Sequence, residues 1–204
     1  MKLIRWGTAD QEKIGVIIND ISYDVSAFGG DYNEQFFADN GLERLENFVK
    51  ANLDNLVEIP ADARLGSPIA RPSKIVCIGL NYADHAKETN AALPSEPVVF
   101  MKSTTALTGP FDDIIIPKNS VKTDWEVELG VIIGRRGIHI KEADALKYVF
   151  GYTVINDVSP REVQRQECVG IQHVKTVSRC PLFPPGKRLQ GLVQGCAVFR
   201  EATI

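Results

Sequence analysis

Glu126 and Glu128 stand two residues apart in the segment TDWEVELGVIIG, residues 123–134. The segment alternates as a β-strand does. Trp125, Val127, Leu129 and Val131 fall on one face, and Glu126 and Glu128 on the other. Carboxylates spaced this way point in one direction, with Cβ atoms about 7 Å apart. Neither lysine nor arginine lies between them, so each raises the other's pKa unless the fold brings in a cation. A hard divalent metal (Mg2+, Mn2+ or Ca2+) takes carboxylate oxygens and is the simplest such cation. An isolated E-x-E on a solvated strand face is commoner, so the rest of the chain decides between the two.

Four other places carry residues suited to chemistry. His85 and Glu88 are three apart in a stretch of helical character, where they share a face. A carboxylate beside an imidazole orients the ring and raises its pKa, which suits a general base; an inert surface pair is the bland alternative. Lys102 closes the apolar run PVVFMK and either snorkels to water or stands as a cation near an anionic substrate. Asp157 ends the apolar run at 150–158, and strand ends are where functional loops gather. Ser159-Pro160-Arg161-Glu162 reads as a capping box with a proline start, so a helix is expected to begin beside Asp157. Arg161 then sits in a first turn, against the helix dipole's preference, and is either paired with a carboxylate or held for a ligand.

These residues need elements to hold them. Residues 2–6, 13–18 and 21–25 read as antiparallel strands, with Asn19-Asp20 as the turn into the third. Residues 33–51 change to helical period, broken at Gly41. A stretch with three prolines, 59–72, reads as a linker after a small N-terminal domain, 1–58. Beyond it, 74–80, 97–102, 113–117, 123–134 and 150–158 read as strands, and 141–148 as a short helix.

The chain of 204 residues suits one domain or one and a half. A net charge of −3 argues against nucleic acid or an anionic membrane as partner. No apolar run reaches a membrane-spanning length, and the N-terminus turns polar too soon for a signal peptide, so a cytoplasmic protein is expected. Cys77, Cys168, Cys180 and Cys196 form no C-x-x-C pair. A zinc site from the last three with His173 has unsuitable spacing, and reduced thiols are the simpler reading.

Four ordered segments, IGLNYADHAKE (78–88), EPVVFMKSTTALTGP (96–110), TDWEVELGVIIG (123–134) and GYTVINDVSPREVQ (151–164), together resemble the fumarylacetoacetate hydrolase family, and its bacterial acylpyruvate and sugar-acid branch in particular. The resemblance implies a mainly β protein with some α: a mixed β-sandwich roll after a small α+β N-terminal domain. It implies Mg2+, or Mn2+ or Ca2+, held by Glu126, Glu128 and Asp157. It gives His85 and Glu88 the role of activating water, Lys102 a catalytic place near the metal, and Arg161 and Gln164 places near the substrate. The implied reaction is cleavage of a carbon–carbon bond in a 2-oxo (2,4-diketo) acid through a metal-stabilised enolate, in a homodimer. Isomerisation, decarboxylation and hydration belong to the same chemistry.

The legible resemblance covers 73–164, and residues 165–204 read as a divergent tail. The tail has six Lys and Arg against two Asp and Glu, a net of +4, which leaves −7 on the first 164 residues. Its composition suggests an out-of-frame or otherwise aberrant ending, with the C-terminal part of the sandwich missing and activity impaired. A lineage-specific basic tail is the alternative.

Overall fold

A computed structural model describes residues 1–82 and 92–161 and, as backbone, 176–178 and 195–198. The N-terminal part is an antiparallel meander, in the order β1 (Lys2–Trp6), β2 (Lys13–Ile18), β3 (Ile21–Asp24) and β4 (Val57–Glu58). Asn19 and Asp20 both take positive φ, 49° and 64°, as the expected two-residue hairpin turn requires. Two helices follow β3: α1 (Glu34–Ala38) and α2 (Gly41–Asn52). Asn33 caps α1, its side chain accepting from the Phe36 amide. The break falls on Asn40, which is left-handed at φ 50°, and not on Gly41. Gly41 is there for space: a Cβ would lie 2.3 Å from the Phe36 carbonyl oxygen.

The linker expected at 59–72 has little regular structure, but it is packed. Ile59 and Ile69 are buried, the Ile59 amide donates to Ser22 O at 2.8 Å, and the Gly66 amide donates to Arg5 O at 2.8 Å. Arg64 leaves this segment to bind Glu12 on one side and Asp112 on the other.

The second part is a seven-stranded mixed sheet in the order β6-β5-β13-β9-β10-β12-β7. Its members are β5 (Ile75–Gly79), β6 (Val98–Lys102), β7 (Leu107–Thr108), β9 (Val127–Ile133), β10 (Val149–Asp157), β12 (Thr176–Ser178) and β13 (Gly195–Val198). A two-stranded ribbon joins β8 (Thr123–Asp124) to β11 (Ser159–Pro160). Residues 142–148 turn as a 3-10 helix.

Residues 113–117 are not the expected strand. The DIIIP run has no ladder partner among the described residues and leaves Ile115 and Ile116 exposed. One hydrophobic cluster runs through both parts, from Leu3, Val16 and Leu45 to Ile75, Ile132 and Ile155. Phe37 meets Phe150 across the junction with ring centroids 4.4 Å apart.

Candidate metal centre

The β9–β10 ladder places the three carboxylates. Glu128 lies opposite Ile155, and the Asp157 amide donates to Glu126 O at 2.7 Å, so Glu126 and Asp157 are also opposite. Directly opposed residues of an antiparallel pair share a face. Glu126, Glu128 and Asp157 therefore share the face that continues into Gly130, Ile132, Thr153 and Ile155, all of them buried.

The two faces read from alternation hold, and the glutamates do not lie on the solvated face that was the bland alternative. The carboxylates point with the core, while Trp125 and Val127 are 72% and 56% exposed. The ladder is tight beneath the cluster, since a Cβ on Gly130 would come within 2.7 Å of Thr153 Cγ2 and Ile155 Cδ1.

Burial sets the electrostatics. Desolvation raises the Glu128 carboxyl, neighbouring Asp157 and Glu126 raise it further, and it stands at about 7 although Lys102 pulls it down. Burial also raises Glu126, against the lowering charges of Arg161 and Lys102. Asp157 is raised by burial in the same way, against Lys102.

Among the described residues, Lys102 and Arg161 answer these anions. Lys102 is almost wholly buried, and its Nζ lies 2.5 Å from Asp157 Oδ1 and 3.5 Å from Ser159 Oγ. Lys102 and Asp157 thus form a buried ion pair. Arg161 NH1 lies 2.7 Å from Glu126 Oε1. Of the two readings for Arg161, the structure shows pairing with carboxylates. Among the described residues, Glu128 Oε2 is buried and has no hydrogen-bond partner.

Three residues that the sequence does not mark for the site support the cluster. Ser159, expected to cap a helix, pairs instead with Asp124 in the ribbon, and its hydroxyl serves Lys102. Asn156 Oδ1 accepts from the Glu126 amide at 3.1 Å, where the strand is interrupted at residues 125–126. Asp124 binds Arg161 through two hydrogen bonds. Its spacing from Glu126 and Glu128, D-x-E-x-E, was the available signal.

His85, Glu88 and Gln164 lie outside the described residues, as do Cys168, Cys180 and His173 of the alternative zinc site. Cys77 is a buried thiol. Among the described residues no three His, Cys, Asp or Glu side chains stand close enough to hold one ion as they lie. In kind, the donors suit a hard divalent cation: three carboxylates on one face, two of them held by side-chain cations and one with a buried oxygen lacking any hydrogen bond.

The fold and site thus define a mainly β protein with a desolvated acidic cluster at the end of its sheet core. Comparison with known proteins agrees. The family model described as Fumarylacetoacetate (FAA) hydrolase C-terminal matches residues 74–190, beyond Gln164, where the legible motifs end. The chain belongs to this family. A protein of Burkholderia ambifaria, assigned as a hydrolase without a stated substrate, is 48% identical over 169 residues, covering 80% of this chain and 57% of the relative.

Two solved structures share the fold. Maleylpyruvate hydrolase from Sphingobium sp. SYK-6, in complex with manganese(II) and pyruvate, has a TM-score of 0.69 at 25% identity, covering 91% of this chain and 67% of its own. A protein of Mycobacterium abscessus described as a probable 2-hydroxyhepta-2,4-diene-1,7-dioate isomerase has a TM-score of 0.68 at 29% identity, covering 91% and 65%. The chain spans little more than half the length of the curated relatives it matches. Among the described residues no helix is long and apolar enough to cross a membrane.

Proposed function

We infer that the protein is a metal-dependent hydrolase that cleaves a carbon–carbon bond in a 2-oxo (2,4-diketo) acid. The observation that carries this reading is the acidic cluster, with Glu128 Oε2 buried and, among the described residues, without a hydrogen bond beside two further carboxylates. Glu126, Glu128 and Asp157 would hold the ion, Mg2+ first, with Mn2+ or Ca2+ in its stead. When bound, the ion supplies a Lewis acid for negative charge growing on the 2-oxo oxygen, a contribution of several kcal/mol. The Mn2+ and pyruvate held by the Sphingobium hydrolase support a divalent ion and a 2-oxo acid.

The chain's own residues do the rest. Lys102, buried against Asp157, offsets the cluster's negative charge and sets a cation beside the substrate. Arg161 and Gln164 orient the substrate carboxylate. His85, steadied by Glu88, takes a proton from water, and the oxygen adds to the distal carbonyl carbon. The bond from that carbon to the methylene then breaks. Its electron pair passes to the enolate, which takes a proton at carbon to give pyruvate. A homodimer belongs to the same reading, supported by the exposed Val99 and Met101 on edge strand β6.

The test is pyruvate release from an acylpyruvate by the purified chain with Mg2+ or Mn2+, read by a coupled dehydrogenase. Release is expected, and Glu126→Gln should reduce it on the order of a hundredfold or more. No release together with no Mn2+ uptake overturns the reading. Product analysis separates cleavage into two fragments from isomerisation, the activity named for the Mycobacterium neighbour.

A further inference from the structure

Arg161 divides its guanidinium between two acids. Nε and NH2 both donate to Asp124 Oδ2, at 3.1 and 2.8 Å. NH1 faces Glu126 Oε1 at 2.7 Å. Asp124 cannot swing away easily, because its other oxygen accepts the Trp125 amide at 2.9 Å. The backbone is tied as well: Ser159 pairs with Asp124, and the Arg161 amide donates to Lys122 O at 3.0 Å. One edge of the fork is thus fixed by the segment that leads into Glu126, and the NH1 arm reaches into the acidic cluster.

Resting on the metal reading above, we propose that Asp124 is a positioning residue that makes the NH1 arm of Arg161 exchangeable between Glu126 and the carboxylate of an anionic ligand. Glu126 can satisfy Arg161 or share its charge with a divalent cation. Once a cation draws on Glu126, the hold on NH1 weakens, and the arm turns to an incoming carboxylate while Nε and NH2 stay on Asp124. A planar fork anchored along one edge suits this use; a lysine ammonium, with no fixed edge, does not. Cation and anion binding are then coupled, and by linkage each strengthens the other by the same factor.

Calorimetry on the full chain tests this with Mn2+ alone, then with pyruvate at saturating Mn2+. Asp124→Asn should weaken pyruvate binding about tenfold at saturating Mn2+ and leave affinity for Mn2+ alone equal to wild type or severalfold tighter. Arg161→Lys, which keeps the charge and loses the fork, should weaken pyruvate binding similarly. Pyruvate binding at wild-type strength in both variants overturns the proposal alone. So does Asp124→Asn losing Mn2+ as Glu126→Gln does, since Asp124 would then serve the metal directly. Mn2+ binding that survives Glu126→Gln overturns the metal reading, and this proposal with it.

Discussion

Two ion-pair clusters in this molecule are both built from acids and side-chain cations and behave oppositely. At the junction of the two parts, Arg5 holds Asp31 at 2.7 Å and Arg64 holds Asp112 at 2.6 Å, with Glu12 between the arginines. Burial alone would raise Asp112. Hydrogen bonds from Arg64, Thr108 and the Gly109 amide, with the Arg64 charge, outweigh burial and hold the carboxyl at about 2. At the end of the β9–β10 ladder burial prevails, and Glu128 stands at about 7. The difference lies in donors. Asp112 has a fork, a hydroxyl and an amide, whereas Glu128 Oε2 has no hydrogen bond among the described residues. A saturated cluster joins parts of a fold; an undersupplied one is ready for a ligand.

The comparison breaks most readily at Arg64. Arg64→Ala strips one partner from Glu12 and Asp112 together and should cost about 2–3 kcal/mol in urea unfolding, a figure that allows for the partly exposed guanidinium. A loss below about 0.5 kcal/mol would show the junction network to be ornamental.

A smaller effect follows from Asp112 itself. Its folded pKa lies below the unfolded value, so its contribution is complete above about pH 4 and is lost as pH falls through 2. Wild type should lose on the order of 1–2 kcal/mol from this group between pH 5 and pH 2, and Asp112→Asn should lack that part of the slope.

The smallest change in stability, and the sharpest contrast, is expected at Glu128. Glu128→Gln removes a desolvated charge that its neighbours repel, so the unliganded protein should change by less than about 0.5 kcal/mol or gain stability. The same substitution should abolish any rise in melting temperature on adding Mn2+. A large loss without the ion would mean that Glu128 is structural.

Much of the molecule can be read from the sequence where a local rule applies. The first three strands, the Asn19-Asp20 turn and both helices follow from period and turn chemistry. The acidic trio is legible because E-x-E and a strand-end Asp are local signals, and opposed strands bring them to one face. Alternation groups the residues of β9 into two faces but does not say which face is buried. Here Trp125 and Val127 face out, and the acids share the core side with Ile132. The DIIIP run fails as a strand because a strand needs a partner, which local propensity does not supply. Arg64 and Asp112 are 48 positions apart, and nothing near either residue announces the other.

Segment 59–72 has a consequence for how the molecule can be taken apart. It lends amides to β1 and β3, buries two isoleucines, and lies over a core common to both sheets. Cutting the chain there would not yield two independent modules, and a fragment starting at residue 73 would expose the interior that the meander now covers. Domain-swapping experiments on this scaffold should therefore carry the meander and the sheet as one inseparable cassette.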